Sequence, residues 1–374
     1  PRDVFTRVMT EAFPPEPRDR SAAVAAHRRH QSDWREKVLG WPAGPPTHPG
    51  AAKRFPVLGS CLATDFTGRR VKDEGLNLMS PAARQYARFR QEELRKLGGL
   101  AESERLWRNL LSSQPLAFSI AGELRAHPQA AARVFADLTG LDVVVLERLE
   151  DPGSPSHHLD GIEAEWFPPR DLHTGDRSGF DMAAFLRLRS GERLLVSVEV
   201  KYVDTFSAKK LEYKGYTDYV NAAGLGQVAC QDIVANGGSH FLRSVLLTDS
   251  LRRQGLRGGG EVDRTLAVVL ARSDDKSAAK VVQTIARYQP RTPVALWSHE
   301  NFLDACAVQP ELTEWAARMR ALPARRRPVG SVGDFCERGS LHRRVFRLSY
   351  EAPVGGCSNE RRLHHLGQGS VNAR

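Results

Sequence analysis

Apolar and polar positions alternate most regularly along residues 181–202. On Asp181–Arg189 the even positions are Met182, Ala184, Leu186 and Leu188; on Leu194–Tyr202 they are Leu194, Val196, Val198 and Val200. Strand side chains alternate between faces, so each run predicts a strand whose even face meets the core. A short Ser-Gly-Glu turn joins them. The apolar sets meet when Leu188 opposes Leu194, Leu186 opposes Val196, Ala184 opposes Val198 and Met182 opposes Val200, and a one-residue slip would mix the faces. That register needs a loop of three or five residues about Gly191. It sets Asp181 opposite Lys201 with Glu199 one pleat away, so two carboxylates and an ammonium converge within about 5–8 Å.

The same reading orders the rest of the chain. A helix is expected over Ser21–Leu39 with Ser21 as its cap. The proline-rich stretch Gly40–Phe55 reads as an extended connector. Ser80-Pro81 starts a helix that runs through Ala82–Leu97, and further helical patterns cover Ala101–Leu111, Ile120–Ala126 and Gln129–Leu138, the last stopped by Gly140. Leu141–Arg148, with three consecutive valines, predicts a buried strand, and Gly161–Trp166 another. After the hairpin come a helix at Gly224–Ala235, strands Arg243–Thr248 and Arg264–Ala271, a helix Lys276–Tyr288, a strand Pro293–Ser298, and helices Asn301–Cys306 and Pro310–Leu322. There is no internal repeat. Helices, a strand meander, a helix and then strand–helix alternation predict an α/β (α+β) chain, a mixed central sheet flanked by helices.

Composition narrows the class. The 374 residues are 41% hydrophobic and 26% charged, ordinary for a globular protein. No apolar run reaches the roughly 18 residues of a membrane helix, and the charged, Pro-rich start has no signal-peptide pattern. The five cysteines are scattered without C-x-x-C, which argues against disulfides and a thiolate zinc site and suits a reducing cytoplasm. Net charge is +10, which suits a polyanionic partner. Residues 323–374 hold ten arginines against four acids, so the first 322 residues carry only +4. That tail reads as a basic, disordered extension or a binding arm, and residues 1–60 as an N-terminal helix and connector.

The Asp181, Glu199, Lys201 set carries the candidate chemistry. Two like charges side by side are costly to bury unless a cation sits between them. Lys201 can be that cation; so can a divalent metal, leaving Lys201 for chemistry. The bland alternative is a surface ion pair on a half-exposed sheet. The Glu199 strand is the most apolar of its block, hence expected to be central, and charges at the end of a central strand need a reason.

Asp181-x17-Glu199-Val200-Lys201 on a hairpin resembles the PD-(D/E)XK nuclease superfamily, and more closely a bacterial restriction-endonuclease-like group within it. The matching segments are Asn109-Leu110-Leu111-Ser112-Ser113-Gln114, Glu165-Trp166-Phe167-Pro168-Pro169-Arg170, Gly179-Phe180-Asp181, Glu199-Val200-Lys201-Tyr202 and Trp297-Ser298-His299-Glu300-Asn301-Phe302. They span roughly residues 40–305; Phe180 stands where a proline often precedes the first Asp. The resemblance implies an αβββαβ core, here within one nuclease-like domain over 61–322 (core about 115–300). It implies that Asp181, Glu199 and the Val200 carbonyl hold Mg²⁺ (Mn²⁺ as a substitute) and that Lys201 positions or deprotonates the attacking water. Glu165 would be an additional ligand, with Glu163 its competitor, and Gln227 a glutamine near the site, with Gln231 one turn on. The implied function is a DNA endonuclease of restriction or phage-defence type, with a homodimer suited to double-strand cleavage. The alternatives are an RNase or nickase with the same site, or a non-catalytic nucleic-acid-binding protein that keeps the fold.

Other features read as less specific. His157-His158 reads as loop rather than a metal pair, because adjacent strand residues point apart and no Cys or acid has metal-ligand spacing to them. Cys336, His342, Cys357, His364 and His365 match no zinc spacing. Gly255–Gly260 reads as a flexible loop, since no Lys-Ser/Thr and helix follow it. Arg252–Arg257 and Lys209, Lys210 and Lys214 are candidate phosphate-backbone contacts.

Overall fold

In the computed structural model, residues 21–321 are described, apart from 54, 99–101, 154–156, 177, 207–208 and 258–259. The tail 323–374, and the Cys336–His365 group within it, lie outside the described residues.

Six strands form the central sheet: β1 (Val143–Leu146), β2 (Ile162–Trp166), β3 (Phe180–Leu188), β4 (Arg193–Val200), β5 (Arg264–Ala271) and β6 (Val294–Ser298). The order is β6-β5-β4-β3-β1, with β2 beside β1 along the same edge of β3. β1, β2 and β4 run antiparallel to β3, whereas β4, β5 and β6 are parallel. The sheet is therefore mixed, as the order of elements predicts.

Helices cover both faces: α1 (Ala22–Trp34), α2 (Pro81–Lys96), α3 (Ser113–Ala126), α4 (Pro128–Thr139), α5 (Gln227–Ala235), α6 (Ser239–Gln254), α7 (Lys276–Ala286), α8 (His299–Ala307) and α9 (Thr313–Ala321). On one face, Leu186, Val196, Val198 and Val268 pack with Phe118 of α3, Phe135 of α4, Phe302 of α8 and Trp315 of α9. On the other, Ala267 and Val269 meet Val245 of α6 and Val281 of α7, while Phe185 and Leu195 meet Leu247 and Leu251 of α6. Covering both faces is what allows the central strand β4 to be apolar on both sides.

Several local rules act as expected. Ser21 accepts from Val24 N, Ser80 from Ala83 N with Pro81 next in line, and Gly140 closes α4 at φ +68°. The helix expected through Leu39 is α-helical to Trp34 and π-helical over Arg35–Leu39. Within the expected connector, Pro49–Ala52 forms one helical turn.

Three expectations differ. Arg243–Thr248 is not a strand but the middle of the 16-residue helix α6. Ser244, Val245, Leu246, Leu247 and Thr248 are all buried, so the segment lacks the polar side that would reveal a helical period. β1 is an edge strand, with Val144 and Val145 40% and 46% exposed rather than buried. The hairpin pairs Leu194 with Leu186, Val196 with Ala184 and Val198 with Met182, two residues from the expected register. An even shift keeps every apolar side chain on its face, so alternation cannot distinguish the two. The turn decides: Leu188 N donates to Glu192 O (2.8 Å), closing a three-residue loop with Gly191 at φ +91°.

Candidate active site

The corrected register rearranges the charged residues. Continued past Val198–Met182, it sets Asp181 opposite Glu199 rather than Lys201. On the other side of β3, Ala164 pairs with Met182 and Trp166 with Phe180, so Glu165 also falls opposite Asp181. Three carboxylates therefore stand in one row across β2, β3 and β4, at the end of the sheet where β4 finishes. Open α/β sheets place their ligand sites beyond the carboxyl ends of such strands.

Asp181 is tied to the motif strand itself. Val200 N donates to Asp181 Oδ2 at 2.8 Å. Lys201 N donates the other way, to Leu270 O of β5 (2.8 Å). The N–H and C=O of one strand residue point to the same side, so the Val200 carbonyl faces the Asp181 side of β4.

Lys201 and Glu199 are both buried, and the ammonium Nζ lies 2.5 Å from Glu199 Oε1. The same Nζ is 3.9 Å from Asp204 Oδ2 and 5.1 Å from the Phe206 ring centroid. His240, on the first turn of α6, places Nδ1 3.3 Å from Glu199 Oε1, off hydrogen-bond alignment. Ser113 Oγ donates to Asp204 Oδ2 (3.0 Å) and Gln114 Nε2 to Glu165 Oε1 (2.9 Å), so the first turn of α3 holds two of the acids.

These contacts set the protonation balance. Burial first, then the neighbouring Glu199 charge, pushes the Asp181 carboxyl well above the usual carboxylate range. Burial pushes Glu165 up to about 7, against the pull of the Gln114 hydrogen bond. Burial also works against the Glu199 charge, but Lys201 and His240 outweigh it and leave that carboxyl below its ordinary value. Burial likewise opposes the Lys201 ammonium, yet Glu199, Asp181 and Asp204 outweigh it and raise its pKa. One ammonium thus serves a row of three carboxylates, and the two acids it does not contact resist ionisation. A row short of positive charge is chemically fitted to a cation.

Among the described residues, no group of three or more His, Cys, Asp or Glu side chains is spaced to enclose a metal. The available donors are carboxylate oxygens and one backbone carbonyl. That sparse, hard oxygen set fits a partly hydrated Mg²⁺ better than a closed structural metal.

Glu165 has φ +49°, a backbone conformation uncommon outside glycine. Arg90 of α2 fixes this strand end by donating to Ala164 O (3.0 Å) and Glu165 O (3.3 Å). The turn separates Glu165 from Glu163, which is buried against Arg90 (2.9 Å) and Arg125 (3.8 Å). Glu163 is thus engaged as a structural ion, and Glu165 is the acid brought to the row.

Gln227 and Gln231 are exposed on α5, and among the described residues no hydrogen bond joins either to the carboxylates. Of the helices between β4 and β5, α6 brings His240 to Glu199. Arg252 and Arg253 pair with the buried Asp249, and Arg257 with Asp171. Arg252 lies twelve residues along α6 from His240, about 18 Å away at helical rise, near the opposite end of the sheet. Lys209 and Lys210 instead belong to the segment docked on the start of α6, where Arg243 donates to their carbonyls (3.3 and 2.9 Å). His157 contacts Phe167 O (3.1 Å) in a loop.

Sequence reasoning did not single out Ser113, Gln114, Asp204 or His240 as site residues. Ser113 and Gln114 belong to the Asn109–Gln114 segment that carries part of the family resemblance, and Asp204 follows Lys201 by three residues. His240 lay just before the stretch read as a strand, which hid its place on a helix.

A model of the PD-(D/E)XK nuclease superfamily matches residues 17–322. No curated protein and no solved structure matches the chain.

Proposed function

Because the chain belongs to the PD-(D/E)XK nuclease superfamily, we propose that Asp181, Glu199 and Lys201, with Glu165, form the centre of a metal-dependent endonuclease that hydrolyses DNA phosphodiester bonds. The observation that carries this reading is the row Glu165–Asp181–Glu199 with a single ammonium, Lys201, at the end of the central strand.

Asp181, Glu199 and the Val200 carbonyl would hold Mg²⁺, or Mn²⁺ in its place. Bound there, the ion supplies Lewis acidity and makes a water more acidic. The residues do the rest by position. Lys201 carries N–H donors and a positive charge, which suit it to orient the attacking water and to stabilise charge developing on the phosphoryl oxygens. Gln114 orients Glu165, and the Val200 N–H orients Asp181. Lys209 and Lys210, whose carbonyls accept from Arg243 on α6, are the candidate phosphate contacts; Gln227 is left out because it is exposed on α5, and Arg252, Arg253 and Arg257 because they pair with Asp249 and Asp171.

A restriction or phage-defence role and a pair of chains cutting both strands extend this reading. Incubation of the purified chain with duplex DNA and with RNA, in Mg²⁺ and in EDTA, tests it. Cleavage of DNA in Mg²⁺ alone is expected. Retention of nucleic acid in a gel shift with no cleavage in either buffer would instead identify a binding protein that keeps the fold.

A further inference from the structure

His240 reaches the end of the motif strand from a separate element, and the fold fixes it there. Phe241, Leu242 and Val245, its neighbours on α6, are fully buried and pack with Ala267 and Val269 of β5. Two residues before Glu199, Ser197 of β4 joins Thr248 of α6 by a hydroxyl hydrogen bond of 2.7 Å. The start of α6 therefore cannot drift from the end of β4 without disturbing this packing.

The imidazole of His240 is partly exposed, yet its Nδ1 is enclosed, has no hydrogen-bond partner and stands 3.3 Å from Glu199 Oε1. The Phe206 ring meets it at 82° with centroids 6.4 Å apart, and the same Phe206 ring covers Lys201 Nζ at 5.1 Å. Glu199 Oε1 is already engaged, because Lys201 Nζ lies 2.5 Å from it. Two nitrogens thus address one carboxylate oxygen: one is bonded to it, and the other is close without being aligned. A buried polar atom left without its hydrogen bond costs on the order of 1–3 kcal/mol. The arrangement is costly unless Nδ1 is used in another state of the site.

The proposed chemistry supplies such a state. Lys201 is available to water or to a phosphoryl oxygen only when its ammonium leaves Glu199. A buried carboxylate that loses its ion-pair partner is destabilised by about 3–5 kcal/mol. A divalent cation restores the charge balance, and hydrogen bonds from surrounding groups orient a carboxylate that ligates one. Nδ1–H of an imidazole is a donor suited to that task.

We propose that His240 is a positioning residue: with a divalent cation in the carboxylate row, its Nδ1–H takes over Glu199 from Lys201, orients that carboxylate and frees the ammonium. The inference rests on the metal-dependent reading of the row and adds to it a residue from outside the motif. His240 acts through Glu199 and needs no contact with the substrate.

Titration of the intact, metal-stripped chain with Mn²⁺ by isothermal calorimetry, without DNA, tests this. His240→Leu removes the donor, whereas His240→Asn sets an amide N–H close to where Nδ1 stands. His240→Leu should bind Mn²⁺ at least about 10-fold more weakly than the parent, and His240→Asn should stay within about threefold of it, since loss of a partner to a metal ligand costs about 10–100-fold in affinity. A histidine that only packs would lower the Tm in EDTA in both variants and leave the Mn²⁺ affinity of the folded chains unchanged. Circular dichroism confirms folding, and His240→Ala takes the place of His240→Leu should the leucine variant not fold. Parent affinity in the folded chain without the donor, or equal weakening by His240→Asn and His240→Leu, would overturn the proposal and leave the metal site standing. A parent chain that binds no Mn²⁺ would overturn the metal-dependent reading and this proposal with it.

Discussion

The Val200 N–H donates to Asp181 Oδ2 at 2.8 Å, so the first carboxylate of the site is held by the backbone between the other two motif residues. The contact couples β3 to the end of β4 and aligns Asp181 with Glu199 in one row. The chemistry of the site follows from that row being short of positive charge.

Lys201→Ala leaves Glu199 buried with only His240 beside it. Removing one partner of a buried ion pair costs about 3–5 kcal/mol, so this variant is expected to unfold earlier than the parent chain in EDTA. A divalent ion that takes Glu199 should recover much of that loss, because it no longer competes with the ammonium. Differential scanning calorimetry should therefore show a larger Mn²⁺-induced rise in Tm for the variant than for the parent. Turnover should remain at least about 100-fold lower even with metal in excess. An equal Tm rise in both proteins would contradict competition at Glu199.

Glu165 ionises at about 7 in the folded chain against an ordinary value of 4.5. Its charge costs the fold nothing below pH 4.5, progressively more between 4.5 and 7, and a constant amount above. Glu165→Gln removes that cost. In EDTA at pH 8 the variant should be more stable than the parent by about 1–3 kcal/mol, with the gap closing as the pH falls to 4.5. Its affinity for Mn²⁺ should fall over the same comparison. Urea titrations at pH 8 and pH 5 check the stability, and a variant less stable than the parent at pH 8 would show that the charge is already compensated.

These expectations show how far the residues speak for themselves. Alternation in the hairpin identifies the strands and the faces, because burying the wrong face is costly. It leaves the register open by two residues, since Met182, Ala184, Leu186 and Leu188 are interchangeable apolar partners; the three-residue turn at Gly191 makes the choice. Hence Asp181, Glu199 and Lys201 were legible as a cluster, while the pairing of Asp181 with Glu199 was not. Glu165 and Glu163 look equivalent along the chain, and only Arg90, seventy-odd residues earlier, separates them. Gln114 and Asp204 reach the site through α3 and the loop after β4, relationships that local patterning does not carry. Arg243–Thr248 reads as a strand because Ser244–Leu251 of α6 are all buried, which removes the helical period.

His173 is buried, with Nδ1 2.9 Å from Ser250 Oγ, and burial pulls its pKa down to about 4 from 6.5. The folded chain keeps this ring neutral while the unfolded chain protonates it. Its contribution to stability is therefore complete above pH 6.5 and is lost as the pH falls from 6.5 to 4. His173→Gln can keep a hydrogen bond to Ser250 but does not titrate. Between pH 6 and pH 4.5 the parent should lose stability relative to this variant by up to about 1.4 kcal/mol per pH unit. Parallel stability curves over that interval would show that His173 titrates alike in both states.

The most direct test of the metal-dependent centre is conversion of supercoiled plasmid by the parent chain and by Asp181→Asn, each confirmed as folded by circular dichroism, with Mg²⁺ and with EDTA. The parent chain in Mg²⁺ should yield nicked or linear plasmid, and both EDTA and Asp181→Asn should reduce the rate by at least about 100-fold. Cleavage that survives EDTA, or that the folded variant retains at the parent rate, would contradict the assignment of Asp181 and Glu199 as the metal-holding pair.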